Sequence, residues 1–214
     1  MAAQIDALCQ EQGESLSLRL AHSSGRRRRV RGAGPIVPNA VIGTLIFLGA
    51  EAMLFGGLIS IFLVLRAGDA AWPPADQPRL PILMTAVNTL ILLLSGYTIQ
   101  RASRAVRGDR GWELRWWLTV TVVLGALFLG VQGVEWIRLV RYGLSATSSN
   151  YGGTFYTLIG CHALHVFGGV VLLLAVLRGA LRGHYTARSC GAVEAVRLYW
   201  SFVVGVWPFL YVLL

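Results

Sequence analysis

Residues 39–65 read NAVIGTLIFLGAEAMLFGGLISIFLVL, and in these twenty-seven positions the only formal charge is Glu51. A helix rises about 1.5 Å per residue, so about 20 apolar residues cross the roughly 30 Å of a bilayer's hydrocarbon. Lipid offers no partner to a backbone amide, which makes a helix the only conformation such an isolated stretch can hold there. Four further stretches have the same character: Leu80–Gln100, Trp116–Ile137, Gly153–Leu177 and Val193–Leu214. The expected fold is therefore all-α, a polytopic transmembrane bundle of five helices.

The composition of the 214 residues agrees. Hydrophobic residues make up 55% and charged residues 14%, against about 25% charged in a soluble domain. The 19 basic residues are all Arg and exceed the 10 acidic ones, for a net charge of +9. Such a charge would suit a nucleic-acid binder, but its distribution follows the spans instead. Fifteen Arg lie in the N-terminal tail and in the second and fourth connections with their flanks, among them Arg26 to Arg29, Arg101 to Arg115, Arg178 and Arg188. Only Arg66, Arg79, Arg138 and Arg141 lie on the other side. Positive charge stays cytoplasmic, which predicts a cytoplasmic N-terminus and an external C-terminus. Trp112, Trp116, Trp117, Trp136 and Trp72 stand at span ends, where amphipathic rings gather.

Residues 1–38 differ in material. They form a polar, Arg-rich tail without an apolar segment after a short basic head, so the expectation is a cytoplasmic tail rather than a cleaved signal. Its basic block abuts a span and is expected to contact anionic lipid headgroups, with no nucleic-acid role. Residues 39–214 form the membrane domain. Three cysteines, Cys9, Cys161 and Cys190, fall in the tail, a span and a cytoplasmic loop, which excludes a disulfide scaffold.

The polar residues inside the spans are few, and each is expensive. Glu51 sits near the bilayer midplane, where a carboxylate costs ~2.5 kcal/mol or more. It can carry protons, face a polar cavity or partner, or bond another helix while protonated. Ala52, Gly56 and Ser60 form a small-residue ridge on the same helix, a pattern that permits close packing. His162 and His165 share a helical face at a spacing that metal sites use. Two ligands make no site, however, and His165 lies on the small, polar stripe Gly153–Thr157–Cys161–His165–Gly169, so packing or lipid-headgroup contact is the expectation and metal ligation is not. Asn88, Gln132, Glu135 and Glu194 are read as interhelical polar groups, with Glu135 free to pair with Arg138. Pro208 is expected to kink the last span. No nucleophile–base pair, phosphate loop or metal cluster is present, so the chain by itself has no catalytic centre.

The motifs resemble those of the cytochrome c oxidase subunit III family in its five-helix bacterial form. Residues 43–57 (GTLIFLGAEAMLFGG) are similar to the family's first shared helix. Trp72-Pro-Pro74, then Val87-Asn-Thr-Leu90 and Ser95, resemble the loop and helix that follow. Gln132-Gly-Val-Glu-Trp136, Tyr151-Gly-Gly-Thr-Phe-Tyr156 running into Gly160-Cys-His-Ala-Leu-His-Val166, and Tyr199-Trp200 complete the series in order.

The resemblance implies a non-catalytic integral-membrane subunit of a haem–copper terminal oxidase. It implies packing on subunit I, contacts with other oxidase subunits or another respiratory complex, and a multi-pass place in the bacterial inner membrane. No cofactor is expected in this chain; haem and copper belong to partner subunits, and phospholipid is bound. Glu51 matches a buried carboxyl near an oxygen route, and His162, His165 and Arg178 match a region that holds lipid headgroups. Support of proton uptake is also implied. Two positions depart from the family pattern, Ser201 for His and Val204 for Asp. These keep open a subunit III-like role in a quinol oxidase or nitric oxide reductase. A small proton-coupled transporter is the alternative from another class.

Overall fold

The computed structural model describes residues 39–68, 82–141, 150–187 and 189–213. Five helices follow in order: α1 Asn39–Gly68, α2 Ile82–Arg107, α3 Gly111–Arg141, α4 Asn150–Leu181 and α5 Gly191–Leu213. All five are long and apolar enough to cross a membrane. The all-α fold and the five spans are as the sequence predicts. The Arg-rich tail, Cys9, Trp72 and Arg79 lie outside the described residues.

Most helices run past their apolar stretches. The expected second connection and its flanks shrink to a three-residue link, Gly108 to Arg110, because Arg101, Arg104 and Arg107 continue α2 and Arg115 belongs to α3. Arg is a good helix former, and its long stem lets the guanidinium reach the interface from the last turn. At the link Asp109 takes a left-handed φ of 52°, a conformation Asp tolerates better than most residues. Its Oδ1 accepts the Ala187 amide at 2.6 Å, tying this turn to the α4–α5 connection. Helix α4 ends on Gly183 at φ 72°. The Gly183 and His184 amides there return to the Ala180 and Gly179 carbonyls, an αL cap that suits glycine.

Helices α2, α3, α4 and α5 form a closed ring of neighbours, and α1 lies in the groove between α4 and α5. The ring is centred on Trp200. A Cβ added at Gly169 would lie 2.7 Å from its indole and one at Gly125 2.8 Å, so α3 and α4 close on the ring only because both positions lack side chains. The indole N–H donates to Ser95 Oγ at 3.1 Å, which satisfies the polar edge from α2. Trp207, two turns further along α5, crosses Phe128 edge-on at 5.1 Å. Helix α5 runs unbroken through Pro208.

Helix α1 buries only Phe55 and Phe62 against the ring. The ridge Ala52, Gly56 and Ser60 does not pack against the described residues: all three are exposed, and nothing lies within 4 Å of a Cβ at Gly56. One residue advances a helix by 100°, so turning Glu51 and Phe55 inward turns the next position out.

Candidate functional site

The two polar features that stand 114 positions apart in sequence meet in space. Glu51 on α1 and His165 on α4 approach at 2.7 Å between Oε2 and Nε2, with both side chains nearly buried. The other ring nitrogen, Nδ1, lies 2.7 Å from the Cys161 carbonyl. A carbonyl only accepts, so Nδ1 carries a proton. The Glu51–His165 line then holds one more proton, on the carboxyl or on the imidazole. Either way the pair is neutral overall, and that removes most of the cost of placing a lone carboxylate in the membrane. Cys161, one turn before His165, presents its carbonyl because both lie on the same helical stripe.

Tyr199 on α5 completes the junction, its hydroxyl donating to the His165 carbonyl at 3.0 Å. The Phe55 ring meets the His165 imidazole edge-on at 5.2 Å and closes the other side. Three helices therefore converge on one proton-sharing pair. An apolar cleft of about 740 Å³ starts one turn away, lined by Gly43, Thr44 and Phe47 of α1, Gly168 and Val171 of α4, and Tyr199 of α5. Arg178 is exposed in the last turn of α4, seven residues beyond Val171 and on the same face. At 1.5 Å per residue the separation is about 10 Å.

His162 parts from His165. It is buried with its ring stacked on Trp207 at 4.9 Å and edge-on to Phe128 at 6.4 Å. The two histidines thus serve different neighbours, and among the described residues no group of three or more His, Cys, Asp or Glu is arranged to hold a metal ion.

The remaining sequence candidates form two polar seams at opposite ends of the ring. Glu194, buried at the start of α5, accepts Ser103 Oγ at 2.6 Å and Arg107 Nε at 2.9 Å on one oxygen. Its second oxygen accepts Arg197 Nε at 2.7 Å. Arg197 reaches on to Gln100, which donates to Ser201 at 2.9 Å. Ser201 thus fills a hydrogen-bonding role where the family pattern carries His. Val204, in place of Asp, packs on α2 so closely that a Cβ at Gly96 would lie 3.0 Å from it. At the other end Asn88 donates to the Phe128 carbonyl and to Gln132 Oε1, each at 3.3 Å. Glu135 accepts Thr85 Oγ1 at 3.2 Å. Arg101, Gln100 and Tyr199 were not singled out in the sequence as site residues. Arg101 stands over Trp117 at 5.2 Å in a cation–π contact, and only Tyr199, within the Tyr-Trp motif, carried any signal.

A ring of four membrane helices with a fifth attached through a neutral acid–imidazole pair defines a polytopic, all-helical membrane protein. Comparison with known proteins gives the particular family. The sequence pattern of the family described as cytochrome c oxidase subunit III matches residues 35–214. The chain is 38% identical over 174 residues to cytochrome c oxidase subunit 3 of Synechocystis sp., a match covering 81% of this chain and 73% of that protein. It is 37% identical to the cytochrome c oxidase subunit 3 of Thermostichus vulcanus, covering 81% and 85%. Against the probable cytochrome c oxidase subunit 3 of Nocardia farcinica the identity is 36%, covering 79% and 84%. The chain belongs to the cytochrome c oxidase subunit III family. It is a multi-pass membrane protein of a multi-subunit oxidase.

Proposed function

We propose that this chain is the non-catalytic subunit III of a haem–copper terminal oxidase in the bacterial inner membrane, seated on subunit I. Its tail and Arg-rich connections face the cytoplasm. The observation that carries the reading is the Glu51–His165 pair, a neutral junction that clamps α1 to the ring beside an apolar cleft. The cleft's volume of about 740 Å³ can take a stretch of acyl chain or diffusing oxygen, and Arg178 lies about 10 Å further along α4 from its Val171 lining. In this reading phospholipid fills the cleft, Arg178 holds its phosphate, and the junction keeps α1 in place while oxygen and protons reach subunit I. Haem and copper reside in the partner subunits and supply the redox chemistry.

The test is oxygen consumption by the purified complex carrying Glu51→Ala, followed at low oxygen and through successive turnovers. The complex assembles, and its oxygen dependence or its working lifetime changes. Wild-type behaviour in both measurements refutes a role for the junction in turnover. Mass spectrometry of Arg178→Gln complexes tests the lipid: the variant loses anionic phospholipid that the wild type retains. Proton flux by the isolated chain in liposomes, abolished in Glu51→Gln, would instead favour a transporter.

A further inference from the structure

Five polar atoms in the seam between α2, α3 and α4 are buried without a hydrogen-bond partner among the described residues. They are Asn88 Oδ1, Glu135 Oε1, Trp136 Nε1 and both His162 nitrogens. Asn88, Glu135 and His162 are 0%, 2% and 1% exposed. Leaving all five dry would cost an amount comparable with a whole domain's stability. Turning the Asn88 amide over does not help. Its nitrogen faces the Phe128 carbonyl, which can only accept, so the oxygen must be the side left over.

Asn88, Glu135 and His162 are linked through shared neighbours. Asn88 reaches Phe128 and Gln132; Phe128 lies edge-on to His162; Glu135 is one turn beyond Gln132. From Phe128 to Glu135 is seven residues, about 10 Å along the helix. Asn88 Oδ1 and Glu135 Oε1 are unpaired oxygens, Trp136 Nε1 is an unpaired donor, and the neutral His162 ring has one donor and one acceptor nitrogen, both unpaired. A cation would be repelled by the N–H groups and an anion by the oxygens, whereas water serves both. One water bridges two groups only about 5 to 6 Å apart, so the span needs several in sequence.

We propose that a chain of buried water molecules occupies this seam, linking Glu135, Asn88 and His162. It rests on the geometry of the described residues and not on the oxidase reading. A groove of about 530 Å³ lined by Met84, Gly130, Val134, Glu135 and Arg138 runs along the Glu135 end of the seam. The chain ends at His162, where the Phe55 and Trp207 rings block further passage toward the Glu51–His165 pair.

The test uses the intact complex containing the full chain, in two measurements. A structure that resolves single waters shows density within hydrogen-bonding distance of Asn88 Oδ1 and Glu135 Oε1. Radiolytic labelling in ¹⁸O-water oxidises Phe128 and Trp207, the two rings against His162, several-fold more than Trp200, which is as buried and, like Trp207, has its N–H paired, but lies against the backbones at Gly125 and Gly169. Asn88→Leu removes the density beside that position and lowers the labelling of Phe128. A dry seam, labelling no greater than at Trp200, or a partner side chain inserted against these atoms each overturns the proposal. The wild-type measurements decide the matter if the variant fails to assemble.

Discussion

Replacing both members of the Glu51–His165 pair with apolar residues is expected to cost less than the sum of the two single replacements. In Glu51→Leu, His165 Nε2 loses its Glu51 partner while Nδ1 stays on the Cys161 carbonyl. An orphaned buried polar atom costs about 1–3 kcal/mol. In His165→Leu the carboxyl is orphaned instead, and breaking a buried pair in this way costs about 3–5 kcal/mol. The double variant orphans neither group and puts two leucines against Phe55, so its cost should fall well below the sum of about 4–8 kcal/mol. The expected coupling is about 2 kcal/mol, within the range for residues in direct contact. Reversible unfolding of the four proteins in mixed micelles, followed by tryptophan fluorescence, measures the cycle. Additivity to within about 0.5 kcal/mol would show that the two groups do not share a proton and would refute the reasoning. Glu51→Gln supplies a control: an amide N–H can donate to the Nδ1-protonated imidazole, so this variant should lie within about 1 kcal/mol of wild type.

Three more expectations concern the ring, its polar end and its orientation. Gly169→Ala and Gly125→Ala drive a methyl to within 3 Å of the Trp200 indole and should each cost about 1–3 kcal/mol by overpacking. Gly130→Ala meets nothing within 4 Å and should be neutral or stabilise by up to about 1 kcal/mol, so equal effects at the three sites would disprove the clamp on Trp200. Glu194→Gln weakens contacts to Arg197, Ser103 and the largely exposed Arg107. It should lower the thermal stability of the chain more than Glu113→Gln, whose partner Arg110 is exposed and whose pair is worth under about 1 kcal/mol. With Cys9 and Cys161 replaced by Ser, a membrane-impermeant maleimide should label Cys190 from the cytoplasmic face of inverted vesicles and not in intact cells; labelling in intact cells would reverse the proposed topology.

How much of this was legible in the residues differs from feature to feature, for physical reasons. The spans were legible because lipid imposes a condition on every backbone amide, and only long apolar runs meet it. Family membership was legible because five motifs occur in order. The helix ends were not, since Arg101, Arg104 and Arg107 look like a loop by charge although their stems and propensity extend α2. The open ridge on α1 was not legible either: small residues permit close packing without requiring it.

The local chemistry of Glu51 and His165, a costly acid at mid-membrane and an imidazole on a polar stripe, was evident position by position. Their meeting was not. Nothing near Glu51 in sequence could neutralise it, because Phe47, Leu48, Leu54 and Phe55 carry no charge. The rotation of each helix about its axis decides which residues meet. That rotation depends on how α3, α4 and α5 close around Trp200 through Gly125 and Gly169 and on how Phe55 seats α1 in the α4–α5 groove. A membrane span's composition states that it must be a helix and at what depth each side chain sits. Which neighbour each side chain finds is a property of packing among segments distant in the chain, and only the assembled bundle sets it.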